Sequence, residues 1–169
     1  MQWMRGTMLV LSLAAFGIGA QPAAAQKKQD AKASSALSKE AKRGKYLAQT
    51  SGCNDCHTPG YMETAGKVDE SAWLTGTALG WRGPWGTTYA SNLRLAAKDM
   101  TADQFVARAR SPLRPPMPWF GLRDMSDADV KAIHAYLKHL GPAGSPAPAY
   151  LPPDKTPNGP FVQFPAPPK

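Results

Sequence analysis

Helical periodicity is strong at two places far apart in this chain and almost absent between them. Near the beginning, Ala41, Gly44, Leu47 and Ala48 fall on one side of a 3.6-residue repeat. Ser38 is placed to cap that helix, Glu40 favours its positive end and Gly52 stops it. Gly44 sits oddly there, because glycine inside a helix costs about 1 kcal/mol relative to alanine. Close approach of another helix would account for it. The second strong pattern covers residues 127–140, where Val130, Ile133, Tyr136, Leu137 and Leu140 make the apolar face. Ser126 with Asp129 begins it, Met125 and Val130 form a hydrophobic staple, and Gly141-Pro142 ends it. A shorter helix over 102–110 has Thr101 as its cap, Met100 and Phe105 as its staple, and Ala102, Phe105, Val106 and Ala109 along one side.

Between 58 and 100 the periodicity disappears, and Trp73, Trp81 and Trp85 stand among glycines and prolines. A stretch of this length without regular structure is the kind that wraps a ligand. From Gly141 onward the chain carries ten of its 17 prolines, which excludes regular helix and favours extended backbone. Yet Tyr150, Leu151, Phe161, Val162 and Phe164 are too apolar for a mere tether, so part of this tail is expected to lie against the domain.

The first residues read as an export signal: Arg5, then the apolar run Met8 to Ala20, then Ala23-Ala24-Ala25 as a cleavage site. That run is shorter than the roughly 20 residues that span a bilayer. The expected organisation is a signal peptide over 1–25, a flexible leader over 26–37 with Lys27, Lys28 and Lys32, one domain over 38–140, and a partly docked Pro-rich tail over 141–169.

The chemistry is concentrated in Cys53-Asn54-Asp55-Cys56-His57, which holds both cysteines of the chain. A bare Cys-x-x-Cys also serves redox dithiols, half-sites for zinc and simple disulfides. A structural zinc site wants four ligands, and only His134 and His139 remain, far along the chain. The βαβ pattern of a thioredoxin-like dithiol is absent, and such a site has no need of the following histidine. Two thiols and an imidazole at this spacing are the attachment signature of c-type haem: each thiol adds to one porphyrin vinyl group, and the histidine ligates the iron.

An electron-transfer haem fills both axial positions, and methionine opposite histidine raises its potential. Met62 is too close to His57 in sequence to reach the other side, and Met100 and Met125 already serve as staples. Met117 stands in Arg114-Pro115-Pro116-Met117-Pro118-Trp119, where prolines can hold a thioether in place. The plain alternative is a methionine filling a gap in the core. A bis-histidine arrangement is disfavoured: His139 points away from the apolar face of its helix, His134 flanks that face, and both read as ordinary satisfied histidines. The indoles can cover a porphyrin or form an aromatic mini-core, and the two readings are compatible. Formal charge is +8, of which the signal peptide over 1–25 carries one arginine and no acid. A basic surface suits an acidic redox partner or an anionic membrane surface. No nucleic-acid recognition motif accompanies the charge.

Taken together, Gly44-Lys45-Tyr46-Leu47, Gly52-Cys53-Asn54-Asp55-Cys56-His57, Gly86-Thr87-Thr88-Tyr89-Ala90-Ser91-Asn92-Leu93, Met117-Pro118 and Ala135-Tyr136-Leu137 resemble the bacterial monohaem cytochrome c family. The stretch from Thr87 to Met117 is similar to the cytochrome subunits of periplasmic alcohol or aldehyde dehydrogenases, of which this chain matches one module. The resemblance implies an all-α cytochrome c-like fold over about residues 38–140. In it the first and last helices cross, with Gly44 against Tyr136 or Leu137, and a long loop wraps the haem. It implies Cys53 and Cys56 as thioether anchors, His57 as proximal ligand and Met117 as distal ligand. Arg82, Trp85, Tyr89 and Asn92, with Trp81, are then candidates around the ring or its propionates, Arg82 because a guanidinium binds a carboxylate bidentately. Where the family commonly reads Thr-Pro-Asp after the asparagine, this chain reads Leu93-Arg94-Leu95.

The expected function is a periplasmic, non-enzymatic carrier of single electrons with one covalent haem c and its iron. Its partners would be redox proteins, a periplasmic dehydrogenase or a terminal oxidase, with peripheral membrane contact. Two rivals are an open-site haem enzyme, if the distal methionine is labile, and a subunit docked through its tail to a dehydrogenase or oxidase complex.

Overall fold

The two most periodic segments become the two longest helices, and they touch at Gly44. The computed structural model describes residues 36–165, so the export signal and leader residues 26–35 lie outside the described residues. In chain order the helices are α1 (Lys39–Thr50), α2 (Cys53–His57), α3 (Leu93–Ala97), α4 (Ala102–Ala109), α5 (Trp119–Asp124) and α6 (Asp127–Leu140). The strands are β1 (Gly80–Gly83), β2 (Gly86–Tyr89) and β3 (Phe161–Gln163), and a 3-10 turn spans Glu70–Ala72.

Local sequence sets the ends of the main helices. Ser38 Oγ accepts from the Ala41 amide at 3.0 Å to start α1, and Ser126 Oγ accepts from Asp129 at 3.1 Å to start α6. Thr101 and Gln104 form a reciprocal capping box on α4. The apolar faces of α1 and α6 then bury Leu47 and Ala48 with Ala132, Ile133, Tyr136 and Leu137, joined by Trp73, Leu74 and Ala97. A Cβ on Gly44 would lie 1.9 Å from the Ala132 carbonyl oxygen and 2.9 Å from Tyr136 Cβ. Only a residue without a side chain allows the backbones to approach this closely. The crossing is therefore against Ala132 and Tyr136.

The all-α expectation needs correcting: the chain is mostly helical, but it also carries a three-stranded sheet of order β2-β1-β3. β1 and β2 form an antiparallel hairpin pairing Gly80 with Tyr89 and Gly83 with Gly86, and β3, from the Pro-rich tail, adds in parallel beside β1. Strands of three or four residues are too short for alternation to show in the sequence, and Gly80, Gly83 and Gly86 interrupt what pattern there is. The tail approaches the hairpin a second time, at a bridge between Thr87 and Leu151. Phe164 then packs its ring 5.3 Å from that of Trp85 and 6.1 Å from that of Trp81. Among the described residues no helix is long and apolar enough to cross a membrane.

Candidate haem site

The cysteine-histidine motif folds as its own short helix, turned off the end of α1 by Gly52 in left-handed conformation at φ 74. Helical spacing puts Cys53, Cys56 and His57 on one side, at i, i+3 and i+4. His57 is 7% exposed, and its Nδ1–H donates to the Ser91 carbonyl at 2.7 Å. That bond fixes the tautomer and leaves Nε2 as the nitrogen with a free lone pair. Burial pushes the imidazole's pKa down, against the opposing pull of the Ser91 bond, so the ring is neutral near pH 7. Neutral imidazole is the form that ligates metal. The backbone on the far side of His57 is pinned too: its carbonyl accepts from Gly76 at 2.7 Å, and Thr58 Oγ1 accepts from the Leu74 amide at 2.8 Å.

The thiols answer the competing readings. Both cysteines are free, and burial pushes the Cys53 thiol up to about 11 and raises Cys56 as well. A redox dithiol has the opposite signature, a thiolate favoured by its surroundings. Among the described residues no three His, Cys, Asp or Glu side chains come together as a metal-holding group, so a zinc site lacks its donors. Neutral thiols beside a neutral imidazole suit thioether attachment to a haem whose iron the histidine ligates.

Among the described residues three buried side-chain nitrogens lack a partner: Asn54 Nδ2, Trp81 Nε1 and Trp85 Nε1. Buried donors left alone each cost about 1–3 kcal/mol, and the two indole nitrogens, whose rings both pack against Phe164 at the hairpin, call for an acceptor from outside the chain. The carboxylates of haem are acceptors of that kind. On these observations the residues present fit the group.

The remaining candidates fall in three places. Trp85 lies in the hairpin turn, and Tyr89 ends β2, its ring lying 3.2 Å from where a Gly80 Cβ would be. Arg82 lies in β1, but its guanidinium donates to Thr87 Oγ1 and to the carbonyls of Pro153 and Lys155 in the tail. Asn92 is buried at the start of α3, where Oδ1 accepts from the Leu95 amide at 3.0 Å while Nδ2 donates to the carbonyls of Ala143 and Ser145. Met117 is half-buried in its proline loop, which is tied to the hairpin by a hydrogen bond from Thr88 Oγ1 to the Pro115 carbonyl at 2.6 Å. His139 is exposed, whereas His134 is buried with Nε2 donating to the Met100 carbonyl at 3.0 Å. Both histidines are thus accounted for without iron.

Two residues escaped the sequence reading. Arg94, where the family pattern departs, is buried and donates to the carbonyls of Leu140 and Gly141 at the end of α6 and of Ser71. Asn54, inside the motif, is fully buried, and its Oδ1 accepts from Thr58 Oγ1 at 2.8 Å.

A buried imidazole oriented by a carbonyl, following two neutral thiols on one turn of helix, defines a protein built for covalent haem. The cytochrome c family model matches residues 41–141, more than half of the chain, and the chain belongs to that family. It is 28% identical over 118 residues to a subunit of nicotinate dehydrogenase from Pseudomonas putida, covering 63% of this chain and 9% of that protein. It is 31% identical over 110 residues to the gluconate 2-dehydrogenase cytochrome c subunit of Pantoea cypripedii, covering 58% of this chain and 22% of that one. The aligned region thus spans less than a quarter of either relative. No solved structure matches. The cofactor is haem c, covalently bound with its iron, and the work of the family is electron transfer.

Proposed function

We propose that this chain is an exported, non-catalytic carrier of single electrons, with one haem c joined to Cys53 and Cys56, His57 as proximal ligand and Met117 as distal ligand. The observation that carries the reading is the 2.7 Å bond from His57 Nδ1–H to Ser91, which prepares Nε2 for iron. The bound haem supplies the redox chemistry by cycling its iron between ferric and ferrous states. The protein's residues do the rest. Ser91 holds the imidazole and makes it a better donor, and burial of the site keeps water away. Trp81 and Trp85 offer indole N–H groups to propionates, with Tyr89 beside them, while Arg82 and Asn92 act one layer further out. The Pro115–Pro118 segment, tied to Thr88, supports Met117 as a thioether that moves little between oxidation states.

The export-signal pattern over 1–25 supports a periplasmic site of work. The electron donor fits a dehydrogenase, since both relatives are components of dehydrogenases. A docked component of such a complex is the second reading these relatives favour. The net positive charge suits an acidic partner, with an anionic membrane surface as a site of peripheral contact.

Met117→Ala is the test. Ferric wild-type protein is expected to show the weak near-infrared band of sulfur–iron ligation and to resist cyanide. The variant should lose the band, bind cyanide readily and have a lower potential. An unchanged spectrum in the variant would refute the distal assignment, whereas a wild-type protein that lacks the band and binds cyanide readily would favour an open site.

A further inference from the structure

We propose that the tail from Gly141 to Phe164 is a strap that positions the His57 ring through Asn92; this rests on His57 being the iron's ligand. The chain of contacts is short. Ser91 supplies the carbonyl that holds His57 Nδ1, and the next residue, Asn92, is 4% exposed with its amide inserted between two tail carbonyls. Asn92 Nδ2 donates to Ala143 at 2.7 Å and to Ser145 at 3.2 Å, while Oδ1 of the same side chain caps α3. One amide thereby joins the tail, a helix start and the backbone that orients the ligand.

The rest of the tail is fastened to the same segment. Leu151 exchanges two backbone hydrogen bonds with Thr87, at 2.7 and 3.0 Å, and Tyr150 donates to the Trp85 carbonyl at 2.8 Å. Arg82 donates to Pro153 and Lys155, and the Phe164 amide returns a bond to the Arg82 carbonyl at 2.7 Å. Gly86, at φ 99, leaves room for this approach, since a Cβ there would lie 2.3 Å from the Leu151 carbonyl oxygen. A proline-rich strand has carbonyls in excess of N–H groups. Residues 82–94 answer with side-chain donors in excess, from Arg82, Asn92 and Arg94. The region matched by the family model ends at residue 141, where the strap begins.

Asn92→Ser tests the joint in the full haem-loaded chain. Serine keeps a capping oxygen for α3 and removes both tail bonds without adding charge. Released tail should be cut by a broad-specificity protease about tenfold faster within 142–156, with helical circular dichroism unchanged. A slacker Ser91 carbonyl makes the imidazole a weaker donor to ferric iron. The oxidised/reduced equilibrium should therefore shift about threefold toward reduced haem, about 28 mV at 59 mV per tenfold. Leu151→Pro, which removes one bond to Thr87 and leaves Asn92 intact, should release the tail and move the potential in the same direction. Faster cleavage with an unmoved potential in both variants overturns the strap, as does unchanged cleavage in both. Wild-type protein that carries no covalent haem overturns the functional reading itself, and is distinguished from failure of the strap by haem staining of the denatured chain.

Discussion

The α1–α6 crossing and the segment from Gly80 to Arg94 solve the same problem, holding backbone rigid around a cofactor, by opposite means. At the crossing, apolar faces meet over a glycine and close packing dominates the geometry. Around the hairpin there is little apolar core, and the backbone is held by polar side chains that reach carbonyls far away in sequence, such as Arg94 to Leu140 and Asn92 to Ala143. Packing of the first kind tolerates almost no added volume but is indifferent to pH. Fastening of the second kind tolerates changes of size and fails when a donor is removed.

Three substitutions sharpen that contrast. The largest effect belongs to Gly44→Val, whose side chain would run into the Ala132 carbonyl; it should destabilise the holoprotein by about 3 kcal/mol or more in a denaturant titration. Native stability there would mean that the helices can slide apart without cost. Arg94→Met keeps volume but leaves carbonyls of Leu140, Gly141 and Ser71 without their donor, a loss of about 2 kcal/mol by the same titration. A neutral result would show that water replaces the guanidinium freely.

The smallest effect tests a polar bond laid across the crossing itself. Glu70 accepts from Tyr136 Oη at 2.7 Å and pairs with Lys45. Burial pushes the Glu70 carboxyl up, but the bonds from Lys45 and Tyr136 more than offset this and hold it below its ordinary value of 4.5. A depressed carboxylate adds stability above its unfolded-state pKa and loses it as pH falls through the folded one. Since the side chain is 37% exposed, wild type should exceed Glu70→Gln by only about 1 kcal/mol at pH 7, with the gap closing below about pH 4.5. A gap that widened in acid would contradict the sign.

The same contrast explains what the sequence disclosed. Ser38, Thr101 and Ser126 act within three residues of themselves, so caps, staples and helix limits could be read directly. The haem motif is equally local, contained in five consecutive residues. Gly44 showed as an anomaly that a crossing helix resolves. By contrast, Asn92 and Arg94 find tail and α6 carbonyls 46 to 53 residues away, and no period or motif marks such a pairing. Tyr136 read as one more apolar position because the partner of its hydroxyl, Glu70, lies 66 residues earlier. The sheet stayed hidden for the same reason, since β3 joins β1 from the far end of the tail.

One measurement bears most directly on the whole account: the intact mass of the unfolded polypeptide, produced in a host competent for cytochrome maturation. A mass of one haem above the apoprotein, surviving denaturation and acid extraction, is the predicted result. A polypeptide at apoprotein mass, with its porphyrin absent or washed away, would contradict it.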